Sequence, residues 1–190
     1  MSGDTRARIL AEALRQFAAR GFDGTTISSI ERGVGLAEGT GSFYRHFPSK
    51  RAVFDAVVEH ELARLRAIRP EREPRTAEGG TRPLSERLAD DLRFLREVRP
   101  LVEILIRERD GMPHVAERVR DVLVERGLAG IAGDLAADGE PGWEDPEAAA
   151  TVLLCATVGY FLTTEFFGDV PGGVNAERYA RSLARLLGGT

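Results

Sequence analysis

Apolar residues near the N-terminus recur at three- and four-residue steps, through Ile9, Leu10, Ala13, Leu14, Phe17 and Ala18. That period predicts an amphipathic helix over residues 5–20. Gly21 stands where a left-handed C-cap belongs, and Phe22 is placed to fold back onto the last turn. Thr25 or Thr26 starts a short second helix with Ile27 and Ile30 as its buried face, and Gly33 and Gly35 weaken it beyond Arg32. Residues 36–41 read as a glycine-rich turn and 42–47 as a short third helix. Phe47-Pro48-Ser49 ends that helix and caps the next. The fourth helix covers 50–68, with Ala52, Val53, Ala56, Val57, Leu62 and Leu65 along one side.

Residues 70–83 hold three prolines and two adjacent glycines among polar residues, the composition of a linker. Helical periodicity then returns. Residues 84–98 carry Leu84, Leu88, Leu92 and Leu95, and residues 100–110 carry Leu101, Val102, Leu105 and Ile106. A longer segment, 113–137, carries Val115, Val119, Val122, Leu123 and Leu128, but Gly127, Gly130 and Gly133 weaken its second half. Asp145-Pro146-Glu147 combines an N-cap, a proline at the first helical position and an acid in the first turn, predicting a helix to residue 167. The last helix, 175–187, has an Asn cap and a Tyr179, Leu183, Leu186, Leu187 stripe. No segment alternates as a strand. The fold class is all-α with about nine helices: a small domain over 1–48, a connecting helix over 49–69 and a larger body over 84–190.

Composition narrows the function classes. The chain is 190 residues, 43% hydrophobic and 29% charged, enough to build an ordinary globular core. The net charge of −4 hides an asymmetry: residues 1–69 hold eleven Lys and Arg against eight acids, so the excess of acid lies wholly beyond them. A surplus of three positive charges permits a nucleic-acid partner without requiring one. A lone cysteine, Cys155, allows no disulfide within the chain and points to a reducing, cytoplasmic setting, with the thiol as buried packing. Residues 1–8 contain charges and no apolar run, so no secretory signal is expected. The longest nearly apolar stretch, 148–162, falls short of the ~20 residues of a membrane helix and reads as a buried helix. Three histidines, one cysteine and the acids fall into no metal-ligand spacing, nucleophile elbow or phosphate loop. Asp110 and His114 are close in sequence, yet nothing beside them is a nucleophile. The chain is therefore expected to be no enzyme and to need no cofactor or metal. A helical interaction module and a non-specific architectural DNA protein are the remaining alternatives.

A short helix, a glycine-containing turn and a second short helix within the first fifty residues suggest a helix-turn-helix. The fourth helix adds to this. First turns normally carry acids, because the macrodipole leaves positive charge there. Here Lys50 and Arg51 follow directly on Ser49, and cations converging with free amides make a phosphate cradle. The plainer alternative is that both side chains lie in solvent. Phe43 and Phe47 are predicted core; Tyr44 divides between a packed ring and an outward hydroxyl.

The residues that carry this motif resemble those of TetR-type regulators. The resemblance lies in Thr25-Thr26-Ile27-Ser28-Ser29-Ile30, in Gly35-Leu36-Ala37-Glu38-Gly39-Thr40, and in Phe43-Tyr44-Arg45-His46-Phe47-Pro48-Ser49-Lys50. The preceding run from Ile9 to Phe22 is similar to that family's first helix. One departure stands out: Gly41-Ser42 is interposed between Thr40 and Phe43, so the turn is longer or the third helix starts later. The resemblance implies that Thr26 caps the second helix and donates to a phosphate, and that Lys50 neutralises another. It implies that Thr40 or Ser42, with Tyr44 and His46, contacts the DNA backbone. Arg45 could pair with guanine or rest on phosphate; phosphate is slightly favoured. Two copies with recognition helices about 34 Å apart would require double-stranded DNA with a palindromic operator. The family's four-helix dimer bundle would come from 148–167 and 175–187, making the chain a homodimer.

A second domain on such a regulator implies a small-molecule effector, apolar or amphipathic by family habit. Candidate pocket walls are Phe94, Leu101, Leu105, Met112, Trp143, Tyr160, Phe161 and Phe166, though aromatics at helical spacing are more often core. Glu103, Arg107, His114 and Thr157 are the polar residues that could orient a ligand, with His114 more simply a surface histidine. The implied function is a repressor released from its operator when ligand binds.

Overall fold

The computed structural model describes residues 2–37, 39, 41–68, 82–108, 111, 113–138 and 145–187. Among these, nine α-helices account for the architecture: α1 (Ser2–Arg20), α2 (Ile27–Gly33), α3 (Lys50–Ile68), α4 (Leu84–Glu97), α5 (Arg99–Glu108), α6 (Pro113–Arg120), α7 (Arg126–Asp138), α8 (Pro146–Phe166) and α9 (Ala176–Leu186). Most of residues 70–83, read as a linker, lie outside the described residues.

Local chemistry sets the helix ends. Gly21 takes φ of +72° after α1, a conformation costly for any residue with a Cβ. Asp145 accepts from the Ala148 amide at 3.0 Å to start α8, and Asn175 accepts from Arg178 at 3.0 Å to start α9. Two expectations need correction. The third helix expected over 42–47 is a single 3-10 turn, Phe43–Arg45. Gly39 and Gly41, with φ of +72° and +74°, bring the chain in through left-handed geometry, which delays right-handed winding until Ser42. The long helix expected over 113–137 is interrupted: α6 and α7 are separated by five residues of π-helical geometry, Asp121–Glu125.

Packing gathers the elements into two compact units. The first holds α1, α2, α3, α5 and α6. Around α1, the rings of Phe17 and Phe54 meet edge to face at 4.9 Å and Phe22 meets Phe54 at 5.3 Å. Leu101 and Ile104 of α5 and Val115 and Val119 of α6 complete this interior. Thus α5 and α6 pack with the N-terminal helices, although in sequence they lie within the body.

The second unit holds α4, α7, α8 and α9. Its core is Leu84 and Leu88 of α4, Leu135 of α7, Ala150 and Leu153 of α8, and Ala180 and Ala184 of α9. Arg96 of α4 pairs with Glu165 of α8 at 3.0 Å. Tyr160 and Tyr179 stack with centroids 4.2 Å apart, their hydroxyls donating to the carbonyls of Val174 and Ala156. Burial, followed by the neighbouring Tyr160, pushes the Tyr179 hydroxyl above its ordinary pKa.

The apolar helix differs from its expected form. α8 is 21 residues, long and apolar enough to cross a membrane, yet only 28% of that apolar window is buried in the single chain. It packs against α4 and α7 through Leu153 and Ala150, leaving Val152 exposed. Cys155, expected to be buried, is exposed on the same helix.

Candidate nucleic-acid interface

The start of α2 is built by a reciprocal cap. Thr26 Oγ1 accepts from the Ser29 amide at 3.1 Å, while Ser29 Oγ accepts from the Thr26 amide at 3.2 Å. Between the two candidate threonines, Thr26 is therefore the cap. Thr25 is buried and donates its hydroxyl to the Gly21 carbonyl at 2.8 Å, closing the α1–α2 turn. α1 fixes α2 from the side: Gln16 donates to the Ser29 carbonyl at 2.9 Å and to Glu12 at 2.7 Å. Glu12 also receives Arg15. That hydrogen bond, opposed by burial and helped by Gln16, holds the Glu12 carboxyl below its ordinary pKa. Gly33 lies so close to Glu12 that a Cβ there would collide with the carboxylate.

The segment after α2 is held from within. Buried Glu31 accepts from the Gly39 amide at 3.2 Å, and the Leu36 amide donates to the Glu31 carbonyl at 2.8 Å. The 3-10 turn that follows sorts its side chains sharply. Phe43 and Phe47 are buried, their rings 5.9 Å apart, whereas Tyr44 is 56% exposed and Arg45 is exposed. His46 and Ser42 are half-buried. Two buried rings anchor the turn, and Tyr44 and Arg45 between them face outward. Thr40 lies outside the described residues.

Ser49 caps α3 by accepting from the Ala52 amide at 3.0 Å. The two cations that follow turn to intrachain partners. Lys50 Nζ donates to the carbonyls of Phe22 at 2.8 Å and Thr25 at 3.0 Å, and lies 4.3 Å from the Phe22 ring centre. Arg51 reaches Asp55 at 3.0 Å and also meets the His114 ring. Lys50 thus clamps the turn that carries the Thr26 cap. α5 grips the same turn: Arg107 donates to the Ala18 carbonyl at 2.9 Å, and Glu108 accepts from the Phe22 amide at 2.7 Å. Sequence reasoning missed Glu108, since no local signal pairs residues 86 positions apart.

The candidate effector residues divide between the two units. In the first, Arg107 serves α1 as just described, Glu103 accepts from Arg99 at 3.0 Å, Leu105 is half-buried and His114 is exposed. In the second, Thr157 is buried and donates to the Leu153 carbonyl at 2.7 Å, and Tyr160 is bonded to Val174. Phe161 is buried, 5.8 Å from the Phe166 ring, and Phe94 is half-buried. Met112 and Trp143 lie outside the described residues. Among the described residues no group of His, Cys, Asp and Glu is arranged to hold a metal ion.

Comparison with known proteins agrees with the geometry. Residues 9–57 match the family described as bacterial regulatory proteins, tetR family. An HTH-type transcriptional repressor of Mycobacterium tuberculosis is 33% identical over 63 residues, a span that is 33% of this chain and 33% of that protein. The chain therefore matches about a third of the length of that curated relative. A TetR-family regulator from Mesorhizobium loti shares the fold across 98% of this chain and 96% of its own, at 21% identity and a TM-score of 0.70. The GusR protein of Salmonella enterica is 29% identical, covering 97% of this chain and 93% of that one, with a TM-score of 0.64.

Proposed function

Since this chain belongs to the TetR family of transcriptional regulators, we propose that it is a repressor that binds a palindromic operator as a homodimer and leaves it when a small apolar or amphipathic ligand binds. The observation that carries the DNA half is the 3-10 turn. Phe43 and Phe47 are sunk in the core while Tyr44 and Arg45, between them, face outward from a fixed backbone. Such a turn presents side chains to a groove from a backbone that need not be ordered on contact. In this reading Thr26, whose oxygen already accepts the Ser29 amide, directs its hydroxyl proton to a phosphate. Tyr44, His46 and either Ser42 or Thr40 take further backbone oxygens. Lys50 keeps one N–H beyond the two carbonyls it holds and turns it to the sugar-phosphate chain.

The dimer half rests on α8 and α9. Val152 is 51% exposed and Leu186 83% exposed, apolar area that a second copy would cover. The M. tuberculosis relative is named a repressor, which supports that sign of regulation here. In the body, the hydroxyls of Thr157 and Tyr160 are satisfied by backbone carbonyls. Around Phe94, Thr157, Tyr160 and Phe161 a ligand would thus be recognised by shape and apolar contact. Glu103, Leu105, Arg107, His114, Met112 and Trp143 are the further proposed ligand contacts.

The test is equilibrium binding of the purified protein to its own upstream DNA, with random DNA as competitor at moderate salt. A specific regulator retains its site under competition, and a panel of apolar and amphipathic compounds should include some that weaken retention. Equal affinity for random DNA would favour the architectural alternative. Operator affinity that no compound alters would remove the ligand-release half.

A further inference from the structure

The cations around the recognition turn are not equivalent. Lys50 has two of its three N–H donors on the carbonyls of Phe22 and Thr25, and Arg51 is bonded to Asp55. Arg8, on α1, donates to the Val34 carbonyl. Two others remain exposed with no hydrogen bond or ion pair to any described residue: Arg45 within the turn, and Arg6 on α1. The Arg6 guanidinium lies over the Phe47 ring, 5.0 Å from its centre. Phe47 is the buried ring that anchors the C-terminal end of the turn, so Arg6 is fixed beside the outward-facing side chains although 41 positions separate the two in sequence. Stacking on an aromatic face engages the flat of the guanidinium and leaves its N–H edge free. The ring attracts the cation without neutralising it.

We infer that Arg6 is a phosphate-binding residue of the DNA interface, positioned by Phe47, and that with Arg45 it offers the phosphates positive charge that Lys50 and Arg51 direct to intrachain partners. The inference rests on the DNA-binding reading above. A planar, edge-exposed guanidinium matches two oxygens of one phosphate, whereas the Lys50 ammonium has one donor to offer. Contacts of this kind carry no base information, so Arg6 strengthens binding to any sequence equally.

The test is the salt dependence of binding to the protein's own upstream DNA and to random DNA. The variants are Arg6→Met, which keeps an apolar stem on the Phe47 ring, and Arg6→Lys, which keeps the charge. Arg6→Met should weaken both DNAs about tenfold, lower the slope of log affinity against log salt by about one, and leave the thermal midpoint unchanged. Arg6→Lys should restore the slope. Arg45→Met should remove a further unit of slope, and the double variant about two. An unaltered slope in Arg6→Met overturns the inference. So does a loss confined to the upstream DNA, which would make Arg6 a base reader. Failure of the DNA-binding reading looks different: the wild-type protein itself would then show no salt-dependent DNA binding.

Discussion

Both units bury rings, but the N-terminal one closes on three interlocked phenylalanines, whereas the helix seams of the C-terminal one run through alanines and leucines. In the N-terminal unit, Phe17, Phe22 and Phe54 interlock, and Phe43 and Phe47 anchor the 3-10 turn. Large side chains fill the space around α2 and a single 3-10 turn, so both are held in place despite having little hydrogen-bonded length of their own. In the C-terminal unit, Ala150, Ala180 and Ala184 let helices approach closely, but such helices cover one another only along narrow seams. Much of α8 and the outer face of α9 therefore stay uncovered in one chain. The difference teaches that the N-terminal unit buries its large apolar side chains within itself, whereas the C-terminal unit leaves Val152 and Leu186 exposed.

The largest effect that can break this contrast is expected from Phe17→Ala. Deleting a fully buried ring at the centre of three costs about 3–5 kcal/mol. Denaturant unfolding should then lose α1–α3 first, while methyl signals of Leu135 and Leu153 in the other unit persist. Simultaneous loss of those methyl signals would show that the two units unfold as one and that their separate packing styles have no energetic meaning.

A smaller effect on the chain's own stability, within about 0.5 kcal/mol, is expected of Val152→Arg, because the residue is exposed. Sedimentation should nevertheless report a shift from dimer to monomer, accompanied by weaker operator binding. A variant that remains dimeric would mean that the exposed side of α8 is not where two copies meet.

The smallest effect sharpens the description of the head. Glu12 has its pKa held down in the fold, first by the Arg15 hydrogen bond and then by Gln16, against the opposing influence of burial. A depressed carboxyl stabilises the fold above its unfolded pKa, and that contribution fades as pH falls through the folded value. Glu12→Gln should therefore be less stable than wild type near neutral pH and approach it in acid, read as thermal midpoints from about pH 6 to about pH 3. Parallel midpoints across that range would remove Glu12 from the forces that join α1 to α2.

Much of this is legible in the sequence. Helical spacing and caps placed α3 over 50–68, and the Asp145 and Asn175 starts are present as read. The left-handed Gly21 and the buried Phe43 and Phe47 also follow from residue type and position. These features depend on neighbours within four residues, the range over which side-chain chemistry biases the backbone directly. The resemblance to TetR-type regulators was legible for the same reason, since its motif is local.

What the chain's order of residues determined is thus an all-helical protein with a helix-turn-helix at its start and an apolar helix near its end. Tertiary structure alone decided how those parts are employed. It turned Lys50 inward to two carbonyls, brought Glu108 to the Phe22 amide, laid Arg6 on Phe47 and left Cys155 exposed. Each outcome depends on groups tens of residues apart competing for the same donor, carbonyl or surface. Periodicity describes which face of a helix is apolar; only the packed chain settles what that face meets.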